Sequence, residues 1–289
     1  MNPVFKAAVI GDPIDHSWSP LIFNYLSQKQ GHPISYQKLK ISAQDWERQE
    51  GLCSELRSLQ GWNVTLPLKK KVLSQLDLLS EEAHVLGAVN VVHRLKDSRL
   101  KGYNTDVFGI IETLKDRKVP VQGQVATVLG AGGAALAAAY ALGKMGAKEV
   151  RVMNRTLAHA EELITRMQSA FPQTTYLAVS VGDRSQQTLE DRVSLLINAT
   201  PIGMKGYPQT FDLYERMNPR AFAFDLVYSA SITPFLEKAQ SQGLSFVGGL
   251  DMLVWQALAT WEIWMGPLDS SVRLKTDLIQ HLQEHLRRI

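Results

Sequence analysis

Between a short apolar run, Val125–Leu129, and an alanine-rich stretch, Ala134–Met145, stands the segment Gly130-Ala131-Gly132-Gly133-Ala134-Ala135. A strand that passes straight into a helix through glycines leaves few folds open. Gly130 suits the tight turn, and Gly132 lets a ligand approach bare backbone. Ala135 takes the third, helix-packing position of a GxGxxA pattern. The first N–H groups of the following helix lack partners within it and favour an anion such as a pyrophosphate. The pattern therefore predicts a Rossmann-type dinucleotide site. A strand-to-helix turn in some other doubly wound protein stays open as the alternative.

The next strand, Glu149–Met153, runs into Asn154-Arg155-Thr156. An Asp or Glu at this point would bind the adenosine ribose 2′-hydroxyl and repel a 2′-phosphate. The acid is missing and an arginine stands beside the site, able to pair with phosphate and stack on adenine. NADP is thus expected over NAD, against the plainer reading of Arg155 as a surface charge beside a helix cap at Thr156.

Alternation continues on both sides. Downstream come a helix at Leu157–Ala170, strands at Leu195–Asn198, Ala223–Leu226 and Leu244–Val247, and a helix at Pro234–Gln242. Strands separated by such helices signal βαβ units and a parallel sheet. Upstream, strands are predicted at Phe5–Ile10, Ser35–Lys40 and Trp62–Thr65, with a hairpin of Ala88–Arg94 and Leu100–Tyr103. Helices are predicted at Leu21–Gln28 behind Pro20, at Trp46–Leu59, from Leu68–Val72 and at Val107–Lys115. Arg117–Gln124 looks like a connection between units. Two helices close the chain: Leu250–Gly266, apolar almost all round with Trp255, Trp261 and Trp264, and the amphipathic Leu274–Leu286.

At 289 residues, and roughly 150 per domain, two domains are expected. A single cysteine, Cys53, excludes an internal disulfide and a Cys-rich metal centre, and it points to a reducing, cytoplasmic compartment. The seven histidines show no ligand spacing with carboxylates such as His-Glu-x-x-His, so no metal is expected. The start, MNPVFKAAVIGDPIDHS, is not expected to be a signal peptide, and no apolar run is long enough to span a membrane. Lys+Arg 31 against Asp+Glu 28 leaves +3, with no basic tract for nucleic acid.

Polar residues gather where strands and turns of the first half meet: Ser17 and Ser19, Asn63 and Thr65, Lys69, Asn90, and Asn104-Thr105-Asp106. Each has a structural explanation: Ser19 and Asp106 as helix caps, Lys69 within a solvated Lys69-Lys70-Lys71 run, Asn90 as a satisfied core amide. Beside a nicotinamide site they also have a chemical one. Carbonyl reduction by hydride needs a donor to the developing alkoxide, and the reverse reaction needs a base. A Lys–Asp pair from the other half suits the role, although pattern alone does not select one pair.

The ordered motifs carry more. Gly11-Asp12-Pro13-Ile14-Asp15-His16-Ser17-Trp18-Ser19-Pro20, Asn63-Val64-Thr65-Leu66-Pro67-Leu68-Lys69, Gly87-Ala88-Val89-Asn90 and Gly102-Tyr103-Asn104-Thr105-Asp106 occur in the first half. Gly130–Ala135, Asn154-Arg155-Thr156, Asn198-Ala199-Thr200-Pro201-Ile202-Gly203-Met204, Asp225-Leu226-Val227-Tyr228 and Met252-Leu253-Val254-Trp255-Gln256-Ala257 follow. Over nearly its whole length the chain resembles the shikimate dehydrogenase family, which interconverts shikimate and 3-dehydroshikimate with NADP in aromatic amino-acid (chorismate) biosynthesis. The resemblance implies an α/β fold with an N-terminal substrate-binding domain, residues 1–106 plus 247–289, and a Rossmann-type NADP domain, residues 107–246. The C-terminal helices would return to the first domain.

The resemblance also assigns roles. Lys69 and Asp106 would form the acid–base pair. Ser17 and Ser19 would bind the substrate carboxylate, with Tyr228 near it. Thr65, Asn90 and Gln256 would hold ring hydroxyls, with Asn63 supporting the pocket. Gly130, Ala131, Gly132, Gly133, Ala134 and Ala135 would carry the pyrophosphate, and Asn154, Arg155 and Thr156 the 2′-phosphate. Thr200, Met204, Leu226 and Gly249 would line the nicotinamide side. The implied partners are small molecules alone, with neither nucleic acid nor membrane, and the implied assembly is a monomer or homodimer.

Several residues depart from the commonest family pattern: Phe23, Trp62, Pro201, Asp251, and Tyr228-Ser229-Ala230 without its usual proline. Trp18, Trp62 and Asp251 are expected to reshape the pocket or its nicotinamide edge, which bears on shikimate against quinate. A quinate/shikimate dehydrogenase, a related paralogue, and a non-catalytic NADP-binding protein are the competing readings.

Overall fold

The computed structural model describes residues 3–48, 54–181, 193–204, 206–207, 218–229, 232–268 and 270–286. Cys53, Ala230 and the middle of the expected Trp46–Leu59 helix lie outside the described residues. The chain divides into two compact units, Met1–Thr105 with Gln256–Ile289, and Asp106–Trp255.

Unit 1 contains β1 (Phe5–Gly11), α1 (Ser19–Gln30), β2 (Ile34–Lys40), α2 (Ala43–Arg48), α3 (Ser54–Arg57) and β3 (Gly61–Val64). A 3-10 turn at Lys71–Gln75, β4 (Leu78–Leu79), α4 (Glu81–Leu86), β5 (Val91–Arg94) and β6 (Leu100–Tyr103) follow. The six strands form a mixed sheet in the order β2-β1-β3-β5-β6-β4. Pro20 in the first turn and a left-handed Gly31 at the end delimit α1. The hairpin of β5 and β6 is present, with Val91 opposite Tyr103. The short α4 was not foreseen; Ser80 caps it by accepting the Ala83 N–H.

Period-two alternation gives the sheet two different faces. Ala8, Ile10, Trp62 and Val64 join Trp46, Leu56, Leu68, Val72 and Val92 in one apolar cluster. Across the sheet, Phe23 stacks on Tyr36 with ring centroids 4.7 Å apart and approaches Trp264 at 5.2 Å. Trp264 Nε1 donates to the Val92 carbonyl at 3.1 Å. Gly61 lies so near this indole that a Cβ would stand 2.5 Å from Nε1. The tryptophan-rich C-terminal helix thus packs on the sheet of unit 1.

Unit 2 contains α5 (Thr105–Asp116, entered from Thr105 of unit 1), β7 (Val125–Leu129), α6 (Gly133–Lys144), β8 (Glu149–Asn154), α7 (Leu157–Ala170) and β9 (Thr175–Ser180). These are followed by β10 (Val193–Asn198), β11 (Phe222–Asp225), α8 (Pro234–Ser241) and β12 (Ser245–Val247). All six strands are parallel, in the order β12-β11-β10-β7-β8-β9. That is the doubly wound dinucleotide-binding order, with the switch between β7 and β10. Strand β9 escaped the periodicity reading because it is an edge strand with only two fully buried residues. Helix α9 (Gly249–Met265) crosses from unit 2 into unit 1 between Trp255 and Gln256, and α10 (Ser271–Leu286) completes unit 1.

Candidate active site

In unit 1 the polar residues meet near the C-terminal ends of β1 and β3. Helix α1 begins at Ser19 with Trp18 in the capping position and no side-chain cap bond, so the Ser19 hydroxyl is not spent on the helix. Ser17 Oγ accepts the Ser19 N–H at 3.3 Å and donates to Ser19 Oγ at 3.2 Å. The Ser19 side chain lies against Tyr36, whose phenol donates to Asn63 Oδ1 at 2.7 Å. Burial pushes the Tyr36 phenol well above its ordinary value, so it stays a neutral donor.

Asn63 Nδ2 reaches the Asn90 carbonyl at 3.4 Å. Asn90 Oδ1 accepts the Thr105 N–H at 2.8 Å, and Asn90 Nδ2 donates to Thr105 Oγ1 at 3.0 Å. Thr105 Oγ1 in turn donates to Gln256 Oε1 at 3.3 Å, and Thr260 Oγ1 donates to the Gln256 carbonyl at 2.8 Å. Ser17 and Ser19 thus form one hydrogen-bonded pair, and Tyr36, Asn63, Asn90, Thr105 and Gln256 form a hydrogen-bonded run in the same unit.

Thr65 follows β3 and packs against Gly11, where a Cβ would sit 2.5 Å from the Thr65 methyl. The Lys69 carbonyl accepts the Val89 N–H at 2.8 Å, tying the turn after β3 to the segment before β5. The lysine run divides: Lys71 pairs with Glu47, Lys70 is exposed, and Lys69 is half-buried. Asp106 lies in the first turn of α5, where a carboxylate favours the helix N-terminus, and it opens unit 2. Tyr228 also belongs to unit 2.

The glycine turn of unit 2 fits a phosphate group. Gly130 has φ +98°, and a Cβ there would press within 3.1 Å of the Ala199 carbonyl oxygen. Nothing lies within 4 Å of a Cβ built at Gly132 or Gly133. Gly132 caps α6 without a side chain, while Ala135 is fully buried against the sheet. Open space and uncapped helix N–H groups are what a pyrophosphate needs. At the end of β8, Asn154 Nδ2 donates to the Thr156 carbonyl at 2.8 Å. Arg155 is exposed, with no ion pair among the described residues, and Thr156 makes no side-chain cap bond.

Thr200, Met204, Leu226 and Gly249 lie around the ends of β10 and β11. Thr200 Oγ1 donates to Asn198 Oδ1 at 2.6 Å, and Met204 N–H to the Pro201 carbonyl at 3.0 Å. The Leu226 N–H reaches the Asn198 carbonyl at 2.9 Å. Gly249 permits close backbone approach, since a Cβ would fall 2.5 Å from the Leu226 carbonyl oxygen.

Two family models match the chain: the shikimate dehydrogenase substrate binding domain over residues 9–92, and shikimate / quinate 5-dehydrogenase over residues 113–181. The shikimate dehydrogenase (NADP(+)) of Caldanaerobacter subterraneus subsp. tengcongensis is 36% identical over 262 residues, covering 89% of this chain and 90% of that one. The chain belongs to the shikimate dehydrogenase family. Among solved structures, the Listeria monocytogenes shikimate 5-dehydrogenase in complex with shikimate and NAD is 30% identical with a TM-score of 0.84, covering 95% and 96% of the two chains. The Thermus thermophilus enzyme in complex with NADP(H) and shikimate is 32% identical with a TM-score of 0.79, covering 96% and 99%. An N-terminal substrate-binding domain and a Rossmann-type domain are the architecture of this family and of this chain.

Within the shikimate dehydrogenase frame, the structure places three of the departures from the family pattern. Trp62 is 1% exposed in the apolar cluster with Trp46 and Leu68, on the sheet face opposite Asn63. Its ring fills this core and lies away from Asn63. Asp251 is buried and pairs with Arg117 at 2.9 Å, which accounts for its charge. Phe23 fills core space against Tyr36. The sequence reading passed over Tyr36, Thr105 as a linker and Thr260. Their only local signal is a hydroxyl on a strand or helix that is otherwise apolar or edge-like, and their importance comes from partners remote in sequence.

Proposed function

We propose that this chain catalyses the reversible NADPH-dependent reduction of 3-dehydroshikimate to shikimate, as a cytoplasmic enzyme. The Ser17–Ser19 pair, with the hydrogen-bonded run from Tyr36 through Asn63, Asn90 and Thr105 to Gln256, carries the reading. These residues offer the hydroxyls and amides that a polyhydroxylated ring with one carboxylate requires. Ser17 and Ser19 take the carboxylate. Thr65, Asn90 and Gln256 take ring hydroxyls. Family membership and the fit of the glycine turn to a pyrophosphate support the dinucleotide half.

Bound NADPH supplies the hydride; the chain supplies the proton and the geometry. The Lys69 ammonium donates a proton to the carbonyl oxygen as the ketone becomes an alcohol, with Asp106 as the other member of the acid–base pair. In the oxidation direction the neutral Lys69 amine accepts the hydroxyl proton. Ketone, hydride and proton balance to alcohol. Arg155 with Asn154 and Thr156 selects the 2′-phosphate of NADP.

The second reading is a broader shikimate/quinate activity, favoured by the shikimate / quinate description of the model matching residues 113–181. Steady-state rates with shikimate and quinate, each with NADP and NAD, test both. The expected order places shikimate with NADP first. Comparable rates with quinate select the second reading, and no turnover with any pair sinks both.

A further inference from the structure

Asp225 ends β11 and Asn198 ends β10; the parallel register sets them side by side. Both are fully buried. One carboxylate gathers three chain segments. Asp225 Oδ1 accepts Asn198 Nδ2 at 2.9 Å and the Val227 N–H at 3.0 Å, while Oδ2 accepts the Thr233 hydroxyl in a short bond. Asn198 passes the constraint onward, because its Oδ1 accepts both the N–H and the hydroxyl of Thr200, at 3.1 and 2.6 Å. Thr233 caps α8 by accepting the Leu236 N–H, and the turn at Gly203 packs on its side chain. The Val227 carbonyl then receives the N–H of Gly249, which starts α9.

Thr200, Met204, Leu226 and Gly249, the residues assigned above to the nicotinamide side, all hang from this node. None of the groups at its centre is exposed, so the node's effect on a ligand must run through the loops it holds. A buried network whose members are all satisfied rigidifies what it joins. Its polar cost also makes it an expensive way to join three loops, since apolar packing would serve a purely structural turn. We propose that Asp225 is the positioning residue for the nicotinamide end of the cofactor, setting the geometry of the segments after β10 and β11. The inference rests on the NADP assignment above and adds to it the device that shapes one end of that site.

The test separates the two ends of the ligand. NADPH and 2′,5′-ADP, which lacks the nicotinamide, are titrated against the full-length chain and its Asp225→Ala and Asp225→Asn variants. Asp225→Ala is expected to weaken NADPH about tenfold, as loss of bonds to a charged acceptor does, while 2′,5′-ADP stays within about twofold. Asp225→Asn keeps an acceptor for Asn198 and Val227, and it is expected to recover most of the NADPH affinity. If Asp225→Ala does not fold, Thr233→Val removes the donor to Oδ2 and carries the same comparison. Equal weakening of both ligands, or of neither, overturns the inference. A wild-type chain that binds neither ligand overturns the NADP assignment itself, and the inference with it.

Discussion

Tyr36 Oη donates to Asn63 Oδ1 at 2.7 Å, so a residue of edge strand β2 fixes how an amide in β3 is turned, reaching across β1. With Oδ1 satisfied, Asn63 presents N–H hydrogens rather than an acceptor. Tyr36→Phe keeps the ring stacked on Phe23 but frees the amide to flip. A neutral hydrogen bond contributes about 1 kcal/mol. The expected result is a KM for shikimate raised roughly fivefold, with turnover changed less. An unaltered KM would remove Tyr36 from the site.

Lys69→Ala is expected to lower turnover by about 10²–10⁴, the usual span of a lost general acid–base group, while substrate affinity changes little. Asp106→Asn should act in the same direction. Rapid-quench turnover and equilibrium binding of shikimate separate the two effects. Turnover near the wild-type level in Lys69→Ala would show that another group moves the proton.

Arg155 is exposed and free of ion pairs among the described residues, so its substitution should cost the fold little. A charge-assisted bond to a phosphate is worth about 1.5–3 kcal/mol. Arg155→Ala should therefore weaken NADP by tenfold or more, by the order of magnitude of that bond, and leave NAD nearly unchanged. Equal losses for both cofactors would show that the guanidinium never meets the 2′-phosphate.

Trp62 tests which face of the sheet carries the site. Trp62→Ala empties a filled core position and should lower stability by about 3–5 kcal/mol in urea unfolding. Trp62→Phe should leave the KM for shikimate within about twofold, because the ring lies away from Asn63. A KM shift as large as that of Tyr36→Phe would put the indole in the pocket.

Asp225 gives stability a pH signature. Burial pushes its carboxyl up to about 6, against the pull of its bonds from Thr233, Val227 and Asn198. The folded state therefore binds the proton more tightly than the unfolded one. The resulting stabilisation is complete below about pH 4, the ordinary carboxyl range, and disappears as pH rises through about 6. It amounts to about 3 kcal/mol. Unfolding free energies of wild type minus Asp225→Asn should fall by that order between pH 4 and 7. A flat difference would mean that the carboxyl does not titrate there.

Much of the fold was readable because it rests on local signals. Gly130–Ala135 between an apolar strand and an alanine helix marks the βα turn, and Pro20 with Gly31 delimits α1. The hairpin follows from two apolar runs joined at Asp97-Ser98. Helix α4 was missed because six residues are too few to show a helical period, and strand β9 because an edge strand with two buried residues shows little apolar pattern. The C-terminal crossing falls at Trp255/Gln256, inside an uninterrupted helix where composition shows no break.

By itself, then, the sequence determined the alternating elements, the glycine turn and the missing acid after β8, since each depends on neighbours a few positions away. The pairing of Thr105 with Gln256, 151 residues apart, was decided only by the tertiary structure. So was the joining of Asn198, Asp225 and Thr233 in one buried node. Alternation along β3 separates Trp62 from Asn63, but it does not say what covers either side. A hydrogen bond between remote residues depends on strand order and register, and these are settled by packing the whole core.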